Sequence, residues 1–278
     1  LQIDKNGCIS SKFLKIVKEK YEYIIIDEIS MIGKELWKKI SLLKINSNIK
    51  FLLLGDEKQC PPVENEDIDD YFNHPAVKSI CNYNRNILDV RKRYDEKLYN
   101  ILEDVNKIKI KDYIKEPLTE RNICYYNKTR KRINKYWNDK KKKDGDLFIP
   151  ADEENDKTQD MYIYEGLPVI AMKTKHEGDD VLIANSESFN VGNIDDEYIS
   201  LYSERPDENG EKEIYFYDCP IEEFSDYFLL NYCSTTHKSQ GEAITEEYTI
   251  YDWDCMTTKI KYTALSRAIK YENVYFGK

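Results

Sequence analysis

The chain has 278 residues, of which 41% are hydrophobic and 13% aromatic, and its formal net charge is −10. This length accommodates roughly one to three domains, and the composition excludes disorder and collagen-like repeats. The sequence has no apolar run of the roughly 20 residues that a membrane helix needs, and no signal-peptide region, so we expect an intracellular protein (cytoplasm, nucleus or viral replication site) without a membrane partner. The seven cysteines are scattered without a C-x-x-C pair, which indicates reduced structural thiols.

The charges are segregated along the chain. The net charge is −1 over residues 1–80, +10 over 81–143, −19 over 144–232 and 0 over 233–278. A net acidic chain argues against a simple nucleic-acid coat, because such proteins are usually basic overall. The basic block 81–143 nevertheless identifies one part of the chain where nucleic acid could bind.

Residues 1–80 have the pattern of a βαβ unit. The apolar, β-branched run Tyr23–Ile26 predicts a strand buried on both faces of a parallel sheet, and residues 51–54 predict a second strand. Between them, residues 34–43 have the apolar spacing of a surface helix. The crossover should be right-handed, and ligands should lie at the carboxyl ends of the strands.

The rest of the chain divides into three segments. Residues 81–165 predict a second α/β region, with a strand at 123–126 and a basic helix at 129–138. Residues 166–232 contain short alternating runs separated by Gly, Asn, Asp and Pro, which predict a small antiparallel β-barrel or sandwich inserted into that region. Residues 233–278 return to α/β, with a strand at 248–251, a helix at 258–268 and a closing strand at 273–276. The predicted fold class is therefore α/β with a β insertion.

Both strands of the first unit end in acidic residues. Asp27 and Glu28 follow the first strand, in the arrangement by which a nucleotide hydrolase places one carboxylate on Mg²⁺ and another on the attacking water. Acidic residues also end strands simply because they meet solvent, and this alternative stays open for the pair alone. The second strand leads into Gly55-Asp56, then Gln59 and the diproline 61–62, which is more than a plain acidic turn requires.

At these residues the sequence resembles superfamily 1 helicases. Residues 26–31 (IDEISM) resemble helicase motif II, residues 55–63 (GDEKQCPPV) motif III, residues 234–242 (STTHKSQGE) motif V and residues 262–268 (YTALSRA) motif VI. The His-Lys-Ser-Gln-Gly run is similar to the RecD and Pif-like branch. The resemblance implies two RecA-like domains, an SH3-like β insertion at 166–232, and 5′ to 3′ translocation on single-stranded DNA driven by ATP and Mg²⁺.

The same resemblance assigns roles to residues around the nucleotide. It implies that Asp27 holds Mg²⁺, that Glu28 activates water and that Gln59 couples nucleotide state to the DNA path. Arg267 would be an arginine finger, and a second arginine comes from motif IV, where Arg91 and Arg93 are candidates and Arg93 is favoured. The implied nucleotide-side contacts are Gly55, Asp56, Gly241 and Glu242.

DNA binding needs backbone amides, hydroxyls and cations for phosphates, with aromatic faces for bases. The motif V loop supplies the first set, in Thr235, Thr236, His237, Lys238 and Ser239. The basic helix, with Tyr136 and Trp137, has a similar mix, although basic runs are often only solvated faces. The acidic insertion is too negative to track phosphates, and we expect it to bind a protein partner or repel the strand.

A P-loop, G-x-x-x-x-G-K-[ST], is absent from the sequence. A superfamily 1 motor requires this loop, so we expect either a fragment of a longer helicase or a natural product without an ATPase half-site, and in both cases little or no ATP hydrolysis by this chain alone. One rival is an inactive helicase remnant that serves as a DNA-binding or partner-binding scaffold. A more remote rival is a metal-dependent nuclease that uses Asp27, Glu28 and Asp56.

Overall fold

The computed structural model describes residues 10–62, 71–90, 92–110, 112–178, 180–207 and 210–278. These fall into two compact units: one contains the described residues up to Tyr94 together with Thr257–Thr263, and the other contains Asp95–Met256 and Ala264–Lys278. Val63 of the predicted motif III and Arg91, the alternative motif IV arginine, lie outside the described residues. The four-segment domain division of the sequence stays a prediction.

The first unit contains the predicted βαβ element. The parallel strands β1 and β2 pair in register from Tyr23 with Lys50 to Ile26 with Leu53. Its helices and strands are α1 (Ser11–Lys20), β1 (Tyr23–Ile26), α2 (Lys34–Asn46), β2 (Lys50–Leu53) and α3 (Pro75–Ile80), with short 3-10 helices at Ile29–Met31 and Tyr71–Asn73. The predicted strands and helix are thereby confirmed, each shifted by at most a few residues.

The expectation that the first strand is buried on both faces is wrong. Ile26, Phe51 and Leu53 pack against a core that includes Trp37 and Ile40 of α2. The outward residues alternate with them: Ile25 is 65% exposed and Leu52 is 48% exposed. As far as the structure describes it, this sheet has two strands. The side chains of successive residues point to opposite faces, so the described helices cover one face only.

The second unit contains a four-stranded parallel sheet in the order β13-β3-β14-β15. Its parts are α4 (Glu96–Leu102), β3 (Arg121–Cys124), α5 (Asn127–Lys141), β13 (Cys233–Thr235), β14 (Tyr248–Tyr251) and β15 (Val274–Gly277). A last helix, α7 (Thr258–Leu265), lies between β14 and β15 and contributes to both units. Neighbouring strands come from distant parts of the sequence, so the sheet forms only when the chain closes over the inserted segment.

The predicted antiparallel insertion is present in the second unit. Five strands lie in the order β11-β10-β9-β6-β12, and their buried side chains join those of α5 in one core. The strands and helix of this region are β4 (Leu147–Ile149), β5 (Met161–Ile163), β6 (Pro168–Ala171), β7 (Lys175–Glu177), β8 (Asp180–Ile183), β9 (Ser188–Ile194), β10 (Tyr198–Pro206), β11 (Lys212–Pro220), α6 (Phe224–Tyr227) and β12 (Phe228–Leu230). Its predicted SH3-like character stays a prediction.

Two predicted element ends differ from the structure. The strand predicted at 123–126 stops at Cys124, because the carboxylate of Asp252 accepts hydrogen bonds from the backbone N–H groups of Tyr125 (3.2 Å) and Tyr126 (3.1 Å) and turns the chain into α5. The helix predicted to reach residue 268 ends at Leu265. There the carbonyl of Arg267 accepts from the backbone N–H of Ile244 at 2.8 Å, which draws the chain out of the helix.

Among the described residues, no helix has the length and apolar character required to cross a membrane. The cysteines within the described ranges are all free.

Candidate nucleotide and nucleic-acid site

The end of β1 places the two acidic residues of motif II in different conformations. Asp27 is exposed, and its Oδ1 accepts the backbone N–H of Glu28 at 2.7 Å. Glu28 has a φ of 52°, in the left-handed region that residues with a side chain seldom occupy, and it begins the Ile29–Met31 turn. Backbone strain of this kind is concentrated at functional sites. The strained backbone of Glu28 therefore lies directly after the exposed Asp27 carboxylate.

The end of β2 lies directly beside this turn. The backbone N–H of Ile29 donates to the carbonyl of Leu54 at 3.0 Å. At Gly55 a Cβ atom would lie 2.7 Å from Cγ1 of Ile29, so the approach of the two loops requires glycine. Asp27 and Asp56 thus follow neighbouring strands of one parallel sheet, as the βαβ pattern predicts.

Asp56 organises the loop that resembles motif III. Its Oδ1 accepts the backbone N–H of Lys58 at 2.9 Å, and its Oδ2 accepts the hydroxyl of Tyr262 at 2.7 Å. The backbone N–H of Gln59 donates to the Asp56 carbonyl at 3.1 Å, which leaves the half-buried Gln59 at the end of a tight turn. Tyr262 belongs to the motif VI run, so in the first unit motifs III and VI are joined by a direct hydrogen bond.

These residues do not by themselves fit a complete ATP and Mg²⁺ site. Among the described residues, no group of three His, Cys, Asp or Glu side chains could share a metal ion. Both carboxylate oxygens of Asp56 already accept hydrogen bonds within the loop. Asp27 remains the exposed carboxylate that a metal could reach, but the sequence supplies no P-loop to hold the phosphates. No hydrolytic step follows from these groups alone.

The two predicted phosphate-facing arginines differ in exposure. Arg93 is exposed, with its guanidinium carbon 5.6 Å from the centre of the Tyr94 ring. Arg267 is 1% exposed and lies inside the second unit. Its guanidinium donates to the Glu242 carbonyl at 3.1 Å and to the Ser266 hydroxyl at 3.0 Å. In this conformation Arg267 ties the end of α7 to the motif V loop.

The motif V loop is a compact turn after β13. The backbone N–H of Thr236 donates to the Cys124 carbonyl at 2.9 Å, and the N–H of Ser239 donates to the Thr235 carbonyl at 3.0 Å. The Ser239 hydroxyl donates to the Thr236 carbonyl at 3.0 Å, and Gly241 completes the turn with a φ of 83°. Thr236 and Ser239 are buried in these contacts, so the loop presents Thr235, His237 and Lys238, which are partly exposed.

Lys238 is the centre of a cluster of positive charge. Its half-buried ammonium group donates to the Ala171 carbonyl at 3.1 Å, and burial together with the charges of Arg130 and Lys157 lowers its pKa to about 8. Arg130 is 3% exposed, and its Nη2 donates to the Lys157 carbonyl at 2.6 Å. Among the residues that the structure describes, its Nη1 has no hydrogen-bond partner. Within the described residues, none of these three side chains forms an ion pair. Such a cluster is stabilised by an anion.

Two further residues of the predicted loop, His237 and Glu242, have surroundings that set their charge or occupy their side chain. Burial lowers the pKa of His237, so its imidazole is neutral at pH 7 and acts as a hydrogen-bonding group rather than a cation. The Glu242 carboxylate forms an ion pair with Arg121, which is largely buried. Glu242 is therefore occupied within the second unit, at the edge of the parallel sheet.

One of the two aromatic residues of the basic helix, Trp137, is not available to stack on a base. Trp137 is 5% exposed, and its ring lies 6.1 Å from that of Tyr232 in the core. Lys140 covers the Trp137 ring, with its Nζ 4.5 Å from the ring centre. A base cannot stack on a ring that is already packed on one side and covered on the other. The contribution of α5 to the site is instead Arg130, on its first turns.

Sequence reasoning missed Arg130, Lys157 and Asp252. Arg130 lies in the predicted basic helix, but its spacing alone does not show which cation faces Lys238. Lys157 comes from a loop between β4 and β5, and no motif marks it. Asp252 follows β14 and contacts a helix that is more than 120 residues away in sequence, since its Oδ1 also accepts the Thr129 hydroxyl of α5 at 2.8 Å. The sequence contains only a weak indication that Asp252 has a structural role, namely that an acidic residue directly follows a buried strand.

The fold is similar to those of several solved Pif1 helicases. The chain aligns with a Pif1 helicase from Candida albicans at a TM-score of 0.63 and 17% identity, covering 96% of this chain and 74% of that one. It aligns with a Bacteroides Pif1 helicase in complex with ADP-AlF3 and single-stranded DNA at 0.65 and 15% identity, covering 99% and 76%. Bacteroides Pif1 bound to single-stranded DNA aligns at 0.65 and 18%, also covering 99% and 76%.

No protein-family model and no curated protein matches the sequence. The structural matches cover nearly the whole chain, including the β insertion. The fold is therefore an α/β fold with RecA-like domains, similar to that of Pif1 helicases, and the resemblance to superfamily 1 helicases is confirmed at the level of the fold. At 15% to 18% identity the likeness carries no residue roles by itself.

Proposed function

We propose that the chain is the single-stranded DNA-binding portion of an ATP-dependent DNA helicase that translocates 5′ to 3′. The observation that carries the proposal is the cluster of Lys238, Arg130 and Lys157, in which a buried guanidinium nitrogen lacks a partner and Lys238 is electrostatically destabilised. A backbone phosphate of the strand beside the partly exposed Lys238 would compensate the positive charge of the cluster. The side chain of Thr235, which is partly exposed, and the imidazole of His237 would add uncharged contacts.

The nucleotide side of the proposal rests on the strand ends of the first unit. Asp27 would reach Mg²⁺, Glu28 would lie beside the attacking water, and Gln59 would relay nucleotide state through the loop held by Asp56 and Tyr262. Gly55 permits the close approach of the two strand-end loops, and Gly241 permits the turn that carries Glu242. The bound nucleotide supplies the energy for translocation. Arg93 and Arg267 would face its γ-phosphate, and Arg267 would first have to leave its carbonyl partners.

Single-stranded DNA binding is the first test. Fluorescence anisotropy with a labelled oligothymidylate should give binding that Lys157→Glu weakens about tenfold, because the substitution reverses one charge of the cluster. The matched control, Lys109→Glu, changes the same charge at an exposed lysine of the second unit outside the cluster and should weaken binding less than about twofold. Equal losses in the two variants would refute the phosphate site.

ATP turnover tests the finer proposal. We expect this chain alone to hydrolyse ATP slowly or not at all, so DNA-stimulated turnover by the chain would contradict our account. A P-loop encoded in frame before the sequence would favour the helicase, and the extended protein should unwind 5′-tailed duplexes. If that protein binds DNA but does not unwind it, the alternative of an inactive helicase remnant with a DNA-binding or partner-binding role gains support. The nuclease alternative has no supporting metal cluster among the described residues.

A further inference from the structure

The outermost strand of the β insertion has one free edge. Strand β11 (Lys212–Pro220) lies at the end of the five-stranded sheet and pairs with β10 on one side along its whole length. Among the described residues, no backbone hydrogen bond joins β11 to any other strand. The backbone N–H and C=O groups of a strand point to both sides, so those on the free side of β11 can pair with a further strand.

The interior of β11 lacks the usual protection of an edge strand. Proteins commonly place lysine, proline or a β-bulge in an edge strand, which prevents pairing with another chain. In β11 the lysine and the proline are the first and last residues, and the register with β10 runs without a shift. The charged residues between them, Glu213 and Asp218, are both acidic. The seven residues 213–219 therefore form a regular edge that repels acidic segments but not basic ones.

One face of this edge is apolar and exposed. Ile214 is 58% exposed and Phe216 is 68% exposed, and they lie on the same face because they are two residues apart in a strand. Tyr202 of β10 is partly exposed and lies opposite Phe216, with the ring centres 6.5 Å apart. Apolar side chains of a strand added at β11 would therefore have an apolar surface to pack against.

The charge around the edge selects among the possible occupants. Residues 195–223 contain eleven acidic residues and two basic ones. The two basic residues are already paired, Arg205 with Glu187 and Lys212 with Glu204. A second copy of β11 would bring like charges together, and the phosphates of a nucleic acid would be repelled. A basic protein segment would instead be attracted.

We propose that the free edge of β11 binds an extended segment of a partner protein in which apolar and basic residues alternate. The backbone hydrogen bonds of the added strand would supply affinity, and its alternate side chains would supply specificity. Successive side chains face opposite sides of the sheet, so the apolar ones would pack beside Ile214 and Phe216 while the basic ones lie on the side of Glu213. This proposal is independent of the DNA-binding function.

The test uses the whole chain and a fluorescein-labelled peptide, Lys-Val-Lys-Val-Lys-Val-Lys, whose length matches residues 213–219. Two control peptides keep its charge. In one, the five interior residues are N-methylated, which removes backbone donors; in the other, the same residues are ordered Lys-Lys-Val-Val-Val-Lys-Lys, which removes the alternation. Fluorescence anisotropy should show that both controls bind about tenfold more weakly or worse. Hydrogen exchange of residues 212–220 should become slower when the alternating peptide is bound.

A matched pair of variants localises the site. Ile214→Thr combined with Phe216→Thr removes the apolar face but keeps a β-branched residue at each position, and should weaken the alternating peptide about tenfold. The control combines Leu118→Thr with Phe148→Thr, which changes residues of the second unit outside β11 that are 58% and 48% exposed. It should change the affinity less than about twofold. Thermal melting checks that both variants remain folded.

Several results would overturn the proposal. These are failure of the alternating peptide to bind, equal binding of the N-methylated peptide, equal losses in the two double variants, or unchanged hydrogen exchange over residues 212–220. Sedimentation of the free chain tests the second copy as occupant: a dimer that Ile214→Thr with Phe216→Thr abolishes would assign the edge to that contact. Displacement of the peptide from β11 by oligothymidylate would assign it to nucleic acid.

Discussion

The half-buried Lys238 predicts how single-stranded DNA binding depends on pH. Its pKa is lowered to about 8 from an ordinary value of 10.5. The free protein would therefore carry the charge in about 90% of molecules at pH 7 but in about 10% at pH 9. If a phosphate contact restores the ordinary pKa, DNA binding must take up a proton at pH 9. The affinity should then fall about tenfold between pH 7 and pH 9, equivalent to ~1.4 kcal/mol.

Two substitutions of Lys238 test whether the charge of this side chain is the cause of the pH dependence of DNA binding. In Lys238→Arg the side chain stays charged at pH 9, so the DNA affinity should be retained and should vary little over this interval. In Lys238→Met the affinity should be low throughout, and the slope of log affinity against log salt should decrease by about one. His237 titrates below this range, because burial lowers its pKa.

The same residue predicts a change of stability with the opposite sign. Because the folded-state pKa lies below the ordinary value, the folded protein becomes more stable as pH rises from about 8 to 10.5. The difference corresponds to ~3.4 kcal/mol at full burial, which solvent screening at this half-buried position reduces to ~1 kcal/mol. Lys238→Met should therefore raise the free energy of unfolding by ~1 kcal/mol at pH 7 while weakening DNA binding. Anisotropy measured from pH 7 to 9, with urea unfolding at pH 7, tests both; identical pH profiles for the wild-type protein and Lys238→Arg would refute the reasoning.

Three further predictions concern the fold and the chemistry. Gly55→Ala should destabilise the first unit by ~1 to 3 kcal/mol in urea unfolding, because the added Cβ would lie 2.7 Å from Ile29. In the control, Gly192→Ala, the added Cβ would meet its nearest atom at 3.4 Å, so this variant should destabilise the second unit less. Asp252→Ala should lower the free energy of unfolding of the second unit by ~2 kcal/mol, because the hydrogen bonds that Asp252 accepts at the start of α5 are lost. The control, Asp254→Ala, loses one hydrogen bond from a tyrosine hydroxyl and should lower it by ~1 kcal/mol or less. Coupled-enzyme assays should detect no DNA-stimulated ATP turnover by this chain, and measurable turnover would show that the P-loop is dispensable.

Local patterns predicted the elements because each is governed by its own residues. The β-branched run at Tyr23–Ile26 and the basic helix around Asn127–Lys141 appear where periodicity placed them. The order of the motifs also indicated the helicase fold, since four motifs preserve a spacing that the fold imposes. Exposure was less predictable: the run Tyr23–Ile26 is compatible with burial on either one or both faces, and only the neighbouring elements decide between them.

The sequence by itself determined the segregation of charge, the motif order, the absence of a P-loop and the α/β class with its β insertion. The tertiary structure alone decided which of the many cations converge at the motif V turn. It brought Lys157 from one loop and Arg130 from a helix to Lys238, and it packed Trp137 into the core. Such groups are far apart in sequence, and the burial and neighbouring charges that set their chemistry exist only after the chain has folded.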